Sequence, residues 1–147
     1  MAQNKSVDQL ISQMEDMYAK LPDLPANWRE IIVNITPYLA LIFGILGVVG
    51  SLAAVGVLTF LAPIVVLGGG VGVASGGVIA AVLVLVSSAL LVLAYPGTRN
   101  RKMPGWKMLF WSEAVSVVSS VVAFSPGGIV GALIGFYILF QIKSHYK

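Results

Sequence analysis

From residue 31 to residue 94 the chain carries no charged side chain, and residues 39–49 and 78–94 are apolar on every helical face. A helix rises about 1.5 Å per residue, so about 20 apolar residues cross a hydrocarbon layer about 30 Å thick. Backbone groups in lipid have no water to bond and must pair inside a helix or a closed barrel. The period-two alternation of barrel strands is missing, so the pattern predicts transmembrane helices. Pro63 and the cluster Gly68, Gly69, Gly70, Gly72, Ser75, Gly76 and Gly77 interrupt the run, and such residues suit a turn better than a helix. Two spans are expected, over residues 31–58 and 73–94, the first long enough to tilt or project. After a basic loop over residues 95–107, a third span is expected over 108–124 and a fourth over 129–142, joined by a tight turn at 125–128.

Residues 6–21 show a different pattern. Val7, Leu10, Ile11, Met14, Met17, Tyr18 and Leu21 recur at the three- and four-residue spacing that lines one helical face, which predicts an amphipathic helix. Ser6 with Gln9 fits a capping box at its start, and Pro22 and Pro25 end it. Asp8, Glu15 and Asp16 make its polar side acidic, whereas a membrane-surface helix usually carries Lys and Arg there. Lying on the bilayer, docking against its own spans and binding a partner are all open to it.

Composition agrees with the membrane reading: 58% of residues are hydrophobic and 10% charged, with a mean hydropathy of +0.93. A soluble domain of this size needs a polar shell that such a composition does not supply. There is no cysteine, which excludes disulfides, thiolate metal sites and cysteine nucleophiles. The nine Lys and Arg residues decide orientation. With four spans, all fall on one side: Lys5, Lys20 and Arg29 before the first span, Arg99, Arg101, Lys102 and Lys107 around the central loop, Lys143 and Lys147 in the tail. The positive-inside rule then predicts that both termini and the central loop are cytoplasmic. Trp28 and Trp106 with Arg99, Arg101, Lys102 and Lys107 are expected at the headgroup interface of that side, where attraction to anionic lipid accounts for the basic loop without nucleic acid.

Within lipid, helices associate through close packing and polar contacts. Gly44, Gly47 and Gly50 supply small residues on the first span, and Gly128, Gly131 and Gly135 on the fourth. Ser112, Ser116, Ser119 and Ser120 form a stripe on the third. The short turn predicts that these serines face the glycines of the fourth span, as ordinary packing or as a hydroxyl-lined water path. Glu113 is the one acidic residue inside an expected span, and an intramembrane carboxylate is a functional candidate by default. It shares a face with Ser116 and Ser120 by helical spacing. It either reaches the interface to pair with Arg101, Lys102 or Lys143, which is the plainer expectation, or binds a proton or cation. Asn34 is expected to make a helix–helix hydrogen bond. No nucleophile–base pair, metal-ligand spacing, phosphate loop or dinucleotide fingerprint is present, so no catalytic residue, metal or cofactor is expected.

The Pro-Gly-Trp-Lys-Met-Leu-Phe stretch from Pro104 and the ending from Gly131 to Lys147 resemble small, uncharacterised four-span bacterial membrane proteins. The resemblance implies a bacterial inner (plasma) membrane protein and no particular function. The expected fold is all-α: four transmembrane helices in two antiparallel hairpins (residues 31–147), preceded by a cytoplasmic amphipathic segment (residues 1–30). A non-enzymatic structural or accessory subunit is expected, one that self-associates or joins a larger membrane complex, with residues 6–21 as a candidate partner surface. The alternative is a small oligomeric channel, transporter or holin-like pore built on Glu113.

Overall fold

The computed structural model describes residues 2–68 and 70–147, without the side chains of 2–4 and 71–74. It is all-helical among those residues: α1 (Ala2–Tyr18), α2 (Ala26–Leu67), α3 (Val71–Arg99), α4 (Met103–Val122) and α5 (Pro126–Ile142), closed by a 3-10 turn at Lys143–His145. Among the described residues three helical stretches are long and apolar enough to cross a membrane: Ala26–Leu67, Ser75–Arg99 and Pro126–His145. The 20-residue α4 carries Lys107 and Glu113 and is not one of them.

α2, α3 and α5 overrun the expected spans, α4 starts earlier, at Met103, and stops at Val122, and the turns on either side of α3 are correspondingly short. α2 runs 42 residues, straight through Pro37 and Pro63. A proline deletes one backbone donor, and the long apolar helix on either side holds the angles across the gap. Gly76 and Gly77 lie inside α3 rather than in a turn, which narrows to Gly68–Gly70; Gly69 lies outside the described residues. The basic loop shrinks to Asn100–Lys102, with Arg101 in the left-handed region at φ 51°. α5 begins at Pro126, capped by the Ser125 hydroxyl, which accepts from the Gly128 N–H at 3.3 Å. Pro at the first helical position and Ser at the cap are the favoured pair there. α1 starts at Ala2, so Ser6 lies inside the helix and is not its cap.

From α2 to α5 each helix packs against the next, running in the opposite direction. α2 meets α3 through Gly44 and Gly47, set against Val92 and Ser88. α3 meets α4 where a Cβ built on Gly97 would stand 2.6 Å from the Gly105 Cα. At that crossing the two backbones touch, which only glycine permits. Further along, Ser119 Oγ donates to the Ala80 carbonyl at 3.1 Å. α4 meets α5 through Trp106, Phe110, Phe136 and Phe140, whose ring centroids lie 5.5–6.1 Å apart in successive pairs.

The core gathers at the end where α2 and α4 begin and α3 and α5 finish. Trp106 is the largest fully buried side chain, and its indole N–H donates to the Leu139 carbonyl at 2.9 Å. It is therefore enclosed by the protein, whereas Trp28 is exposed. α1 folds back onto this end. Ile11 is buried in the same cluster, with Val7, Met14 and Tyr18 packed against it, and Tyr18 stacks on Phe140 at 5.3 Å. The tail is pinned by two backbone hydrogen bonds, Met103 N–H to the Lys147 carbonyl at 2.7 Å and Lys147 N–H to the Arg101 carbonyl at 2.9 Å.

Candidate functional site

α4 distributes its polar side chains between two neighbours, because each residue turns the helix by about 100°. Ser112, Ser116 and Ser119 point to α3. Ser87 Oγ lies 3.0 Å from Ser112 Oγ and 2.7 Å from Ser116 Oγ, and donates to the Ser112 carbonyl at 2.9 Å. Ser112 Oγ in turn donates to the Ser87 carbonyl at 2.9 Å. This buried knot uses up the hydroxyls as interhelical bonds. The serines thus face α3, not the glycines of α5, with the exception of Ser120, which lies against Gly128 and donates to the Ser116 carbonyl at 2.8 Å. Ser87 was the missing partner, and its place in an apolar run (Ser87-Ser88 among leucines and valines) was the signal for it.

The glycines divide in the same way. A side chain at Gly44, Gly47, Gly128 or Gly135 would collide with a neighbour, whereas Gly50 and Gly131 face open space. Gly97 and Gly105 make the tightest backbone-to-backbone approach among the described glycines. The repeated Pro-Gly at residues 96–97 and 104–105 marks them in the sequence.

Glu113 turns towards α5, and its carboxylate lies directly over Gly135, where a Cβ would strike it. No hydrogen bond joins it to Ser116 or Ser120 among the described residues. None of the three ion pairs among the described residues includes it either: these are Arg29–Asp23 at 3.2 Å, Lys107–Asp8 at 3.4 Å, and Lys143–Glu15. Arg101 donates instead to Asn34 Oδ1 at 2.8 Å, tying α2 to the loop between α3 and α4. Lys143 also sits 5.5 Å above the Trp106 ring. Arg99 lies 6.0 Å over the Tyr95 ring and donates to its hydroxyl at 3.1 Å. Lys102 is exposed at the start of α4. The basic residues near Glu113 in sequence or at this end of the bundle are thus engaged elsewhere or turned to solvent.

What Glu113 faces is a cleft of about 510 Å³ between α2 and α5, floored by α3 and α4. Its walls are apolar: Ile32, Ile35, Leu39, Phe43, Leu109 and Leu139 among others. Glu113 is the one ionisable group in the lining, and the hydroxyl of Thr36 is spent on its own helix, donating to Ile32 O at 2.6 Å. Ile35, Leu39 and Phe43 are exposed at 44%, 45% and 59%, so the lip opens to the outer face of the bundle. α2 and α5 meet only sparsely, which leaves the gap unfilled.

A second, polar cavity of about 380 Å³ lies under α1, lined by Glu15, Asp23, Arg29, Gln141, Lys143 and Tyr146 among others. The Arg29 Nε and the Tyr146 hydroxyl are buried without a hydrogen-bond partner. Burial pushes the Tyr146 phenol up to about 12, against the pull of Arg101. The Tyr18 phenol is also raised, first by burial and then by the nearby Glu113. Among the described residues no group of three or more His, Cys, Asp or Glu could hold a metal ion. Comparison with protein-family models, with curated proteins and with solved structures finds no match.

Proposed function

We propose that this protein is a four-span integral membrane protein serving as a non-enzymatic accessory or structural subunit, which assembles through an apolar arm formed by the outer halves of α2 and α3. The observation that carries the reading is the length of α2. From Asn34, held by Arg101 at the charged end, to Leu67 at its far end, the helix extends about 50 Å at 1.5 Å per residue. A hydrocarbon layer of about 30 Å would need a tilt well beyond the usual 0–40° to cover it. α4 and α5 turn back at residues 123–125, so roughly the last ten residues of α2 stand beyond them, about 15 Å. Phe60, Ile64 and Leu67 there are exposed at 82%, 67% and 88%. Apolar surface of that kind in contact with water or headgroups marks an association surface.

Support for four spans comes from connectivity. α4 packs antiparallel between α3 and α5, so two crossing neighbours require it to return the chain across the same layer. Its buried serines are bonded to α3, which relieves the cost of polar groups in lipid. Support for cytoplasmic termini comes from the gathering of Arg29, Arg101, Lys107 and Lys143 at one end, against turns at the other end without a charged residue. The same serine bonds weigh against a hydroxyl-lined water path.

The test is the assembly state of the full chain purified in mild detergent. Wild type is expected to elute as a homo-oligomer or with a co-purifying membrane partner. A variant with Phe60, Ile64 and Leu67 all changed to Ser should lose that assembly while keeping its helical content. A wild type that is monomeric and alone, or a variant that assembles as well as wild type, overturns the reading.

A further inference from the structure

We propose that the cleft between α2 and α5 is a binding site for a lipophilic organic cation, with Glu113 as its counter-charge. The proposal goes beyond the assembly role and does not depend on it. Three observations converge on that ligand chemistry. First, the volume of about 510 Å³ falls in the range of small-molecule sites, about 300–1,000 Å³. Second, the walls are apolar, so whatever fills them has an apolar body. Third, the single ionisable group on those walls is a carboxylate that has no ion pair among the described residues. Arg29, Lys107 and Lys143 are paired with Asp23, Asp8 and Glu15, and Arg101 with Asn34. A charge withdrawn from water is held only when paired, and an unpaired buried carboxylate takes up a proton instead; a cation in the cleft would supply the pairing that keeps Glu113 ionised.

Other occupants fit less well. A hard inorganic cation requires about six oxygen ligands, and the cleft offers one carboxylate among hydrocarbon. A bare acyl chain fills the walls but makes no use of the charge. Gly135 is what lets the carboxylate lie flat on the α5 wall of the cleft. The lip at Ile35, Leu39 and Phe43 is open sideways, so a lipid-soluble ligand enters from the hydrocarbon without crossing a polar barrier.

The probe is tetraphenylphosphonium, titrated calorimetrically into the detergent-solubilised full chain, with tetraphenylborate as an anion of matching shape. Saturable binding of the cation and none of the anion is expected. Glu113→Gln keeps size and hydrogen-bonding capacity but removes the charge, and should weaken cation binding by about tenfold or more, the loss of one charged contact. Ile35→Trp fills the cleft from its exposed lip and should also abolish binding with Glu113 intact. Size-exclusion profile and helical content establish that each variant is folded. Equal binding of cation and anion overturns the proposal without any variant. So does an absence of saturable cation binding, an undiminished affinity in Glu113→Gln, or an undiminished affinity in folded Ile35→Trp.

Discussion

Two residues show how narrowly the packing is specified. At Gly105 an added methyl group would meet the Gly97 carbonyl carbon and the Thr98 nitrogen, both backbone atoms that cannot rotate away. Gly105→Ala must therefore push α3 and α4 apart, at a cost of about 2–3 kcal/mol or more. The loss should read out as a lower unfolding temperature in detergent, whereas Gly131→Ala, facing open space, should leave it unchanged. Tyr146 is the opposite case, a buried hydroxyl with no partner. Removing it in Tyr146→Phe should be neutral or mildly stabilising, within about 1 kcal/mol. The variant should also change the alkaline limit. In the folded protein Tyr146 holds its proton to about 12, against 10.0 for a free phenol. Its contribution to stability is thus whole below pH 10 and lost as the pH climbs towards 12. Wild type should weaken across that window, and Tyr146→Phe should weaken less.

At the scale of the element, α1 is an amphipathic helix whose docking partner is its own chain. Ile11 is buried against the aromatic cluster, and Glu15 and Asp8 reach Lys143 and Lys107. The Lys107–Asp8 pair is exposed and such pairs contribute little, about 0–1 kcal/mol; with Lys143–Glu15 only part-buried, burial of Ile11, Met14 and Tyr18 carries most of the docking. Ile11→Asp puts a charge into that contact and should cost more than about 2 kcal/mol. The helix should then come free, with trypsin cleaving after Lys20 much faster than in wild type while the rest of the helical content persists. Equal cleavage rates would show that the ion pairs hold α1 in place. Its acidic polar face, unusual for a lipid-bound helix, makes sense against the basic end of the bundle: the charges answer Lys107 and Lys143.

For the whole molecule, the two ends differ in kind. One end is charged, aromatic and densely packed, with Trp106 at its centre and the tail pinned across the α3–α4 turn. The other tapers to two helices with apolar sides uncovered. A four-helix bundle with equal helices would bury its apolar faces evenly. Here α2 outlasts α4 and α5, and beyond them only α3 runs beside it among the described residues. That asymmetry is why loss of assembly in the arm variant should leave the charged end intact. The cleft belongs to the same imbalance, since α2 and α5, first and last in the bundle, are too lightly joined to close over Glu113.

Helical class, membrane-compatible apolar stretches and the placement of basic residues were all legible in the linear chain. They depend on composition and spacing within short windows, and hydrocarbon length imposes the rest. The amphipathic pattern of residues 6–21 likewise announced α1, though its docking site was open. The facing of the helices was not legible. A helix apolar on every side has no stripe to tell its inner from its outer face, so Val-, Leu- and Gly-rich α2 and α3 could be rotated freely in thought. Folding selected the rotation that set Ser112 and Ser116 on Ser87, brought Gly97 onto Gly105 and buried Trp106. It also left Glu113 looking into an apolar cleft rather than out to Arg101 or Lys143. Those outcomes arise from shape fit and hydrogen bonding between segments far apart in the chain, which the pattern along any one segment does not encode.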